Sequence, residues 1–131
     1  MKLKSPTVLV IDDQYETLEL LKLALERSGF SVITAANWSE VSYLVERTYS
    51  LKRSIDVILL DLMMPDRSGF DIFRSLQVVL VPMPPVIMLS AVTGLEQQLE
   101  ARDLGVTKYL TKPTTPTKLV EVIKQVLSRK A

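Results

Sequence analysis

The sequence predicts an α/β fold in which a parallel, doubly wound sheet is covered by helices on both faces. Short runs rich in β-branched residues alternate with segments of helical periodicity along the 131 residues. One run, Val57–Leu60, is continuously apolar, which is typical of a strand buried on both faces. Alternating strands and helices favour right-handed crossovers and a parallel sheet. At this length we expect one domain, residues 1–131.

The first two strands and the first two helices are predicted between residues 7 and 47. Thr7–Ile11 is a short apolar strand that ends before two aspartates. Tyr15–Ser28 carries a leucine stripe and precedes a glycine, which favours a helix end. Ser31–Ala35 is the second strand, and Asn37–Arg47 is the second helix. The candidates for its cap are Asn37 and Ser39.

The middle of the chain contains a loop, a strand, a helix and a second loop. Tyr49–Ser54 is polar and basic and is interpreted as a loop. Ile55–Asp61 is the third strand, and the third helix begins at Gly69 and ends near Leu80. Val81–Pro85 contains three prolines and is therefore excluded from a helix interior.

The last third of the chain repeats the alternation twice. Val86–Ser90 is the fourth strand, and Gly94–Leu104 is a helix that a glycine ends. Lys108–Thr111 is a short fifth strand. The last helix begins near Pro116, a favourable residue in a first helical turn, and has the cleanest apolar stripe in the chain.

The composition excludes several classes of chemistry. The chain has no cysteine and no histidine, so thiolate catalysis, disulfides and histidine-ligated metals are absent, and any phosphohistidine must belong to a partner. The net charge of +1 gives no reason to expect direct nucleic-acid binding or an anionic membrane surface. No apolar run approaches the roughly 20 residues of a membrane span. We therefore expect a soluble cytoplasmic protein.

Polar side chains stand at the carboxyl ends of four predicted strands. They are Asp12, Asp13, Asp61, Ser90 and Lys112. Each has an ordinary structural alternative: a helix cap for either of the first two, a turn for Asp61, a local hydrogen bond for Ser90, and a solvated side chain for Lys112. Ligands of open parallel sheets bind beyond these strand ends, so we expect all five residues at one edge.

Three carboxylates in one cleft require a cation, because they repel one another. Oxygen-only ligands favour Mg²⁺ with retained waters. A carboxylate beside Mg²⁺ can attack phosphorus, while the metal and an ammonium group neutralise the transferring phosphoryl group. The pattern therefore predicts phosphoryl transfer onto Asp61, with Lys112 as the cation and Ser90 as a hydrogen-bond donor.

Four short motifs follow one another along the chain. They are Val10-Ile11-Asp12-Asp13; Ile58-Leu59-Leu60-Asp61-Leu62-Met63-Met64-Pro65-Asp66 with Gly69 eight residues after Asp61; Met88-Leu89-Ser90-Ala91; and Lys108-Tyr109-Leu110-Thr111-Lys112-Pro113. In this order and spacing, nearly the whole chain resembles the response-regulator receiver domains of two-component signalling. We expect a flavodoxin-like doubly wound (βα)5 fold with five parallel strands in the order 2-1-3-4-5.

The resemblance implies a role for each residue of the site. Asp61 would be the phosphoacceptor, and Lys112 would pair with the phosphoryl group. Asp13 and Asp61 would bind Mg²⁺ directly, together with the backbone carbonyl of Met63. Asp12 would act mainly through a metal-bound water. None of these positions departs from the motifs of the family.

The resemblance also implies a switch and partners. Ser90 would move toward the phosphate, Tyr109 would follow it inward, and the Lys112–Pro113 peptide bond would be cis. The donor would be a sensor histidine kinase or a histidine phosphotransfer protein. The output surface would be the fourth helix, fifth strand and fifth helix, acting on a downstream protein, a fused output domain or a phosphorylation-dependent homodimer.

Two other classes of protein also use an aspartate at the end of a strand. A haloacid-dehalogenase-type phosphatase needs a second carboxylate two residues after the nucleophile, and that position is Met63. A nucleotide hydrolase needs a glycine-rich lysine loop, which the sequence lacks. The remaining alternative is a receiver-like scaffold that binds partners without phosphorylation.

Overall fold

The computed structural model describes residues 5–65, 67–91 and 94–129, within which five strands alternate with five helices. The strands are β1 Thr7–Ile11, β2 Ser31–Ala35, β3 Val57–Asp61, β4 Val86–Ser90 and β5 Lys108–Thr111. The helices are α1 Tyr15–Arg27, α2 Trp38–Ser50, α3 Gly69–Val79, α4 Leu95–Leu104 and α5 Pro116–Ser128. Asp66 and Val92 lie outside the described residues.

All strand pairs are parallel and the strand order is β2-β1-β3-β4-β5, which confirms the predicted fold. β1 lies beside β3 with Ile11 in register with Leu60. The residues that follow these two strands are therefore neighbours at the carboxyl edge of the sheet. β5 is the edge strand beside β4.

The sheet is buried on both faces, and successive residues of a strand contribute to opposite layers. Leu9 and Ile11 belong to the layer covered by α2, α3 and α4. Val8 and Val10 belong to the layer covered by α1 and α5. Every residue of β3 and of β4 is buried. This two-sided burial is the reason that the central strands are continuously apolar and not alternating.

The prediction that Tyr49–Ser54 is a loop was wrong for its first two residues, because α2 continues to Ser50. The helix ends with the backbone N–H of Arg53 bonded to the Thr48 carbonyl and the N–H of Lys52 bonded to the Tyr49 carbonyl. The backbone of Lys52 itself has a φ of 55°. This left-handed helix end usually takes glycine, so a lysine there gave no stop signal in the sequence.

Other boundaries differ from the predicted ones by one or two residues. β3 begins at Val57 and not at Ile55, because the carboxylate of Asp56 accepts a hydrogen bond from the Thr7 N–H at 2.7 Å. α1, α3 and α4 are one residue shorter than predicted. Asn37 is the cap of α2. In the described part of the chain, no helix has both the length and the apolar character needed to cross a membrane.

Candidate functional site

Three aspartates meet where β1 and β3 end side by side. Asp12 and Asp13 directly follow β1, and Asp61 is the last residue of β3. One carboxylate oxygen from each lies within 4.8 Å of the others. Asp12 is 2% exposed and Asp61 is 6% exposed, whereas Asp13 is half-buried. The cluster therefore opens toward solvent on the side of Asp13.

Lys112 brings a positive charge between the two buried carboxylates. Its Nζ lies 3.2 Å from Asp12 Oδ2 and 3.4 Å from Asp61 Oδ2. The backbone N–H of Lys112 donates to the Ser90 carbonyl at 2.7 Å, which fixes the residue at the carboxyl end of β4. The Lys112–Pro113 peptide bond is cis. The sheet edge thus brings together Asp12, Asp13, Asp61 and Lys112, as the strand ends predict.

Each buried carboxylate is oriented by a backbone donor two residues further along the chain. Asp12 Oδ1 accepts from the Gln14 N–H at 3.0 Å, and Asp61 Oδ1 accepts from the Met63 N–H at 3.1 Å. The other oxygen of each carboxylate faces Lys112. Gln14, not an aspartate, is the N-cap residue of α1. Both carboxylates are therefore held in fixed directions around one ammonium group.

The electrostatics of the site keep the lysine charged and make ionised Asp61 costly. Burial raises the pKa of Asp61, and the charge of Asp12 adds to this effect, so together they outweigh the attraction of Lys112. Burial tends to lower the pKa of Lys112, but the attraction of Asp61 and Asp12 reverses this and raises it above the usual value. A further cation is therefore favourable beside the carboxylates.

The donor set fits a hard divalent ion. All three side chains that approach one another offer carboxylate oxygens, and the chain has neither histidine nor cysteine. Mg²⁺ is bound through one or two carboxylates and keeps several waters. Asp13 is half-buried, so this side of the cluster is accessible to water.

The two predicted switch residues lie near this edge, on neighbouring strands. Ser90 ends β4 and is fully buried. Tyr109 is half-buried in β5, in register with Met88, and packs against the core layer under α2, α3 and α4. The Ser90 carbonyl accepts from Lys112, so the hydroxyl residue is linked through the backbone to the lysine of the site.

The loop that leads from β3 to α3 ends at Gly69, which lies close against the backbone of Asp61 and Leu62. The N–H of Gly69 donates to the Leu62 carbonyl at 2.8 Å. A Cβ atom added to Gly69 would lie 2.7 Å from the Asp61 carbonyl oxygen and 2.7 Å from Leu62 Cα. The absence of a side chain here therefore allows α3 to begin directly against the backbone of Asp61.

We expect Gly69→Ala to displace this backbone and to lower the free energy of unfolding by about 2 kcal/mol, within the range known for overpacked sites. Urea unfolding measures the loss. Gly94→Ala is the matched control, because among the described residues an added Cβ there would meet only the Gln97 side chain, and its φ of −62° suits any residue. Equal stability of the two variants would contradict the close-approach argument.

Sequence reasoning did not identify the contact beside the loop that follows β3. Arg67 Cζ lies 5.0 Å from the centroid of the Trp38 ring, at the start of α2. The carboxyl end of β2 carries no charged residue, so it gave no sign of a part in the site. The single tryptophan of the chain, one residue after a helix cap, was the available signal.

Comparison with known proteins assigns the fold and the motifs to one family. Residues 8–124 match the response regulator receiver domain family. The phosphate regulon transcriptional regulatory protein PhoB of Pseudomonas aeruginosa is 32% identical over 94% of this chain and 52% of its own length. The transcriptional regulatory protein CpxR of Escherichia coli K12 is 36% identical over 93% of this chain and 49% of its own length.

A solved structure supports the same assignment. A response regulator receiver domain protein from Clostridium thermocellum superposes with a TM-score of 0.82 and 34% identity, covering 95% of this chain and 96% of that one. The chain spans about half the length of the curated relatives named above. Both the sequence match and the shared fold lead to one conclusion: this chain belongs to the receiver domains of response regulators in two-component systems.

Proposed function

We propose that residues 1–131 form one receiver domain that accepts a phosphoryl group on Asp61 from the phosphohistidine of a sensor histidine kinase or histidine phosphotransfer protein in the cytoplasm. The observation that carries this proposal is the position of Lys112 Nζ between two buried carboxylates, 3.4 Å from Asp61. A third carboxylate, that of Asp13, stands beside them with access to solvent.

The reaction is a displacement at phosphorus. A carboxylate oxygen of Asp61 forms a bond to phosphorus while the bond from phosphorus to the donor imidazole nitrogen breaks, and the electron pair stays on that nitrogen. The product is an acyl phosphate on Asp61. Lys112 stabilises the negative charge of the phosphoryl oxygens, because its pKa is raised and its ammonium group remains protonated.

The metal site of this proposal consists of Asp13, Asp61 and the Met63 backbone carbonyl, with Asp12 acting through a bound water. Bound Mg²⁺ neutralises phosphoryl charge and offsets the repulsion among the carboxylates. The protein contributes orientation, since backbone N–H groups hold Asp12 and Asp61 in place. The chain itself thus takes part in its phosphorylation and dephosphorylation without being a separate enzyme.

The proposed output surface is formed by α4, β5 and α5. Leu95 and Leu99 lie one turn apart on α4 and are 69% and 38% exposed, so this surface has apolar contact groups. The partner there is a downstream protein, a fused output domain or a second phosphorylated copy of the chain. PhoB and CpxR are named as transcriptional regulatory proteins, which supports an output of this kind.

Titration with Mg²⁺ and then beryllofluoride tests the proposal against a scaffold that works without phosphorylation. Beryllofluoride imitates a phosphoryl group on a carboxylate, so we expect amide resonances around Asp61, Ser90 and Tyr109 to shift only when Mg²⁺ is present. A scaffold would show no change with either addition, and that result would overturn the proposal.

We expect Ser90→Ala to retain phosphorylation but to weaken the change at the output surface, because Ser90 and Tyr109 form a two-state element that the phosphoryl group biases. The measurement is the phosphorylation-dependent shift of resonances near Tyr109. A reduction to about half or less is predicted for the variant. Equal shifts in the wild type and in Ser90→Ala would contradict the coupling.

The phosphorylated state is predicted to decay slowly without a separate phosphatase. A water that attacks the acyl phosphate is positioned best by polar side chains two residues after Asp61 and two after Ser90. These are Met63, which is 60% exposed, and Val92, which lies outside the described residues; both are apolar.

Replacing Met63 with Asn and Val92 with Glu or Gln should accelerate the decay about tenfold, equivalent to about 1.4 kcal/mol of barrier. The first-order loss of phosphoryl-Asp61 in excess Mg²⁺ measures it. Indistinguishable rate constants, or wild-type decay within seconds, would contradict this prediction.

A further inference from the structure

The loop between β3 and α3 is anchored at its ends by the backbone. The Leu62 N–H donates to the Leu89 carbonyl at 2.9 Å, and the Leu62 carbonyl accepts from the Gly69 N–H at 2.8 Å. Met63 and Arg67 lie in the loop between these two anchors. Met63 is largely exposed, so its side chain does not hold the loop in place. The path of the loop therefore depends on contacts made further along it.

Arg67 makes two such contacts with two different helices. Its Nη2 donates to Ser75 Oγ of α3 at 2.6 Å. Its guanidinium Cζ lies 5.0 Å from the centroid of the Trp38 ring of α2. A planar guanidinium group can donate hydrogen bonds in its plane while its face packs on an aromatic ring. All three side chains are half-buried, which limits competition from water.

Trp38 is itself held at a defined position. Asn37 Oδ1 accepts from the Glu40 N–H at 2.9 Å, and Glu40 Oε1 accepts from the Ala36 N–H at 2.7 Å. These two hydrogen bonds, of which the second reaches the residue before the N-cap, fix the first turn of α2, in which Trp38 lies. The backbone carbonyl of Ala35, the last residue of β2, accepts a hydrogen bond from the Asp12 N–H at 3.1 Å. The backbone segment that leads to Trp38 is thus hydrogen-bonded to the backbone that carries Asp12.

Arg67 and Trp38 line the same small pocket. A cavity of about 200 Å³ is lined by residues of the turn after β2 and of the loop after β3, among them Trp38, Met64, Pro65 and Arg67. Met64 of the loop and Trp38 of α2 both pack against the same core layer, and the contacts of Arg67 add to this packing. The contact of Arg67 with Trp38 joins these two segments beside the pocket.

We propose that Trp38, Arg67 and Ser75 form a clamp that positions the β3–α3 loop and, through it, the Met63 backbone carbonyl toward the metal site. This inference rests on the proposed function, because it assigns Met63 as a ligand. The three are positioning residues, since none of them contacts the carboxylates. Their effect would reach the Met63 N–H, which donates to Asp61, through the position of the loop.

Mg²⁺ titrations followed by amide resonances of the intact chain test the clamp. We expect Arg67→Ala and Trp38→Ala to weaken Mg²⁺ binding about fivefold each, less than the 10- to 100-fold effect typical of residues in direct contact with metal ligands. The double variant should bind no more weakly than either single variant, because the clamp acts as one unit. Trp38→Phe keeps an aromatic face and should restore binding to about the wild-type value.

Hydrogen exchange of the Met63 amide, measured without Mg²⁺, tests the same clamp independently of the metal. Loss of the clamp should accelerate this exchange about fivefold in Arg67→Ala. Arg74→Ala is the matched control, because Arg74 forms exposed ion pairs with Asp71 and Glu100 outside the loop. It should leave both Mg²⁺ affinity and Met63 exchange unchanged.

Two results separate failure of the clamp from failure of the proposed function. If Arg67→Ala lowers only the free energy of unfolding, with Mg²⁺ affinity and Met63 exchange as in the wild type, the clamp is overturned. If the wild-type chain shows no Mg²⁺-dependent shifts, the magnesium site is overturned, and Met63 exchange still decides whether the clamp holds the loop.

Discussion

Asp61→Asn is expected to abolish phosphoryl uptake. The amide keeps the shape of the side chain but removes the nucleophilic charge and one metal ligand. Incubation with acetyl phosphate and Mg²⁺, followed by mass spectrometry, should show no phosphorylated species for the variant. Asp71→Asn makes the same chemical change at an exposed aspartate of α3 and should be phosphorylated as the wild type is. Continued phosphorylation of Asp61→Asn on another aspartate would show that the acceptor is misassigned.

The same variant is expected to be more stable than the wild type at neutral pH when Mg²⁺ is absent. Folding raises the pKa of Asp61 from its ordinary value of 3.8, chiefly through burial and secondarily through Asp12. Its contribution to stability is therefore fully present below pH 3.8 and is lost as the pH rises through the raised pKa. Urea unfolding at neutral and acidic pH should show the gain of the variant only at the higher pH.

Lys112→Met is expected to slow phosphorylation of Asp61 by about a hundredfold, as does loss of other groups that stabilise transition-state charge. Lys112 is the cation that contacts both Asp12 and Asp61. Removing it should at the same time strengthen Mg²⁺ binding, because a positive charge no longer competes for the same carboxylates. The rate constant with acetyl phosphate and the Mg²⁺ affinity are the two measurements.

The control for Lys112→Met is Lys118→Met, which makes the same change at an exposed residue of α5. It should alter neither quantity. Opposite changes in rate and metal affinity for Lys112→Met would separate its role in charge stabilisation from a general loss of structure. An unchanged phosphorylation rate would contradict the role assigned to the lysine.

The fold was predictable because each strand and helix has a pattern of apolar residues that can be recognised within a short segment of the sequence. The five strands are short apolar runs, and two-sided burial made the run Val57–Leu60 continuous. The strand ends then determined where the charged residues had to meet. Asp12, Asp61 and Lys112 are far apart in the chain, yet the order of the parallel strands brings them to one edge.

The features that were missed depend on conformation or on distance between side chains. Lys52 follows α2 in a left-handed backbone conformation, which is not expected for a lysine from its residue type. The Val81–Pro82 peptide bond is cis, although nothing in the sequence distinguishes it from the neighbouring prolines. The contact of Arg67 with Trp38 joins the β3–α3 loop to the first turn of α2, and neither residue lies in a periodic pattern that pairs it with the other.

The protonation behaviour of the site could not be predicted from residue types. Asp61 and Lys112 have their pKa values shifted by burial and by charges a few ångströms away, and these depend on the three-dimensional arrangement. The sequence predicts that carboxylates and a lysine meet. Only the structure shows that one ammonium group lies between the two most deeply buried carboxylates.

The proposed function depends on phosphoryl transfer to Asp61 with the help of Mg²⁺. Peptide mapping by mass spectrometry, after incubation of the wild-type chain with acetyl phosphate, tests it most directly. The proposal predicts the mass of one added phosphoryl group on the peptide that contains Asp61, in the presence of Mg²⁺ and not when the metal is chelated. A chain that stays unmodified under both conditions, or carries the group on a different residue, would contradict the account.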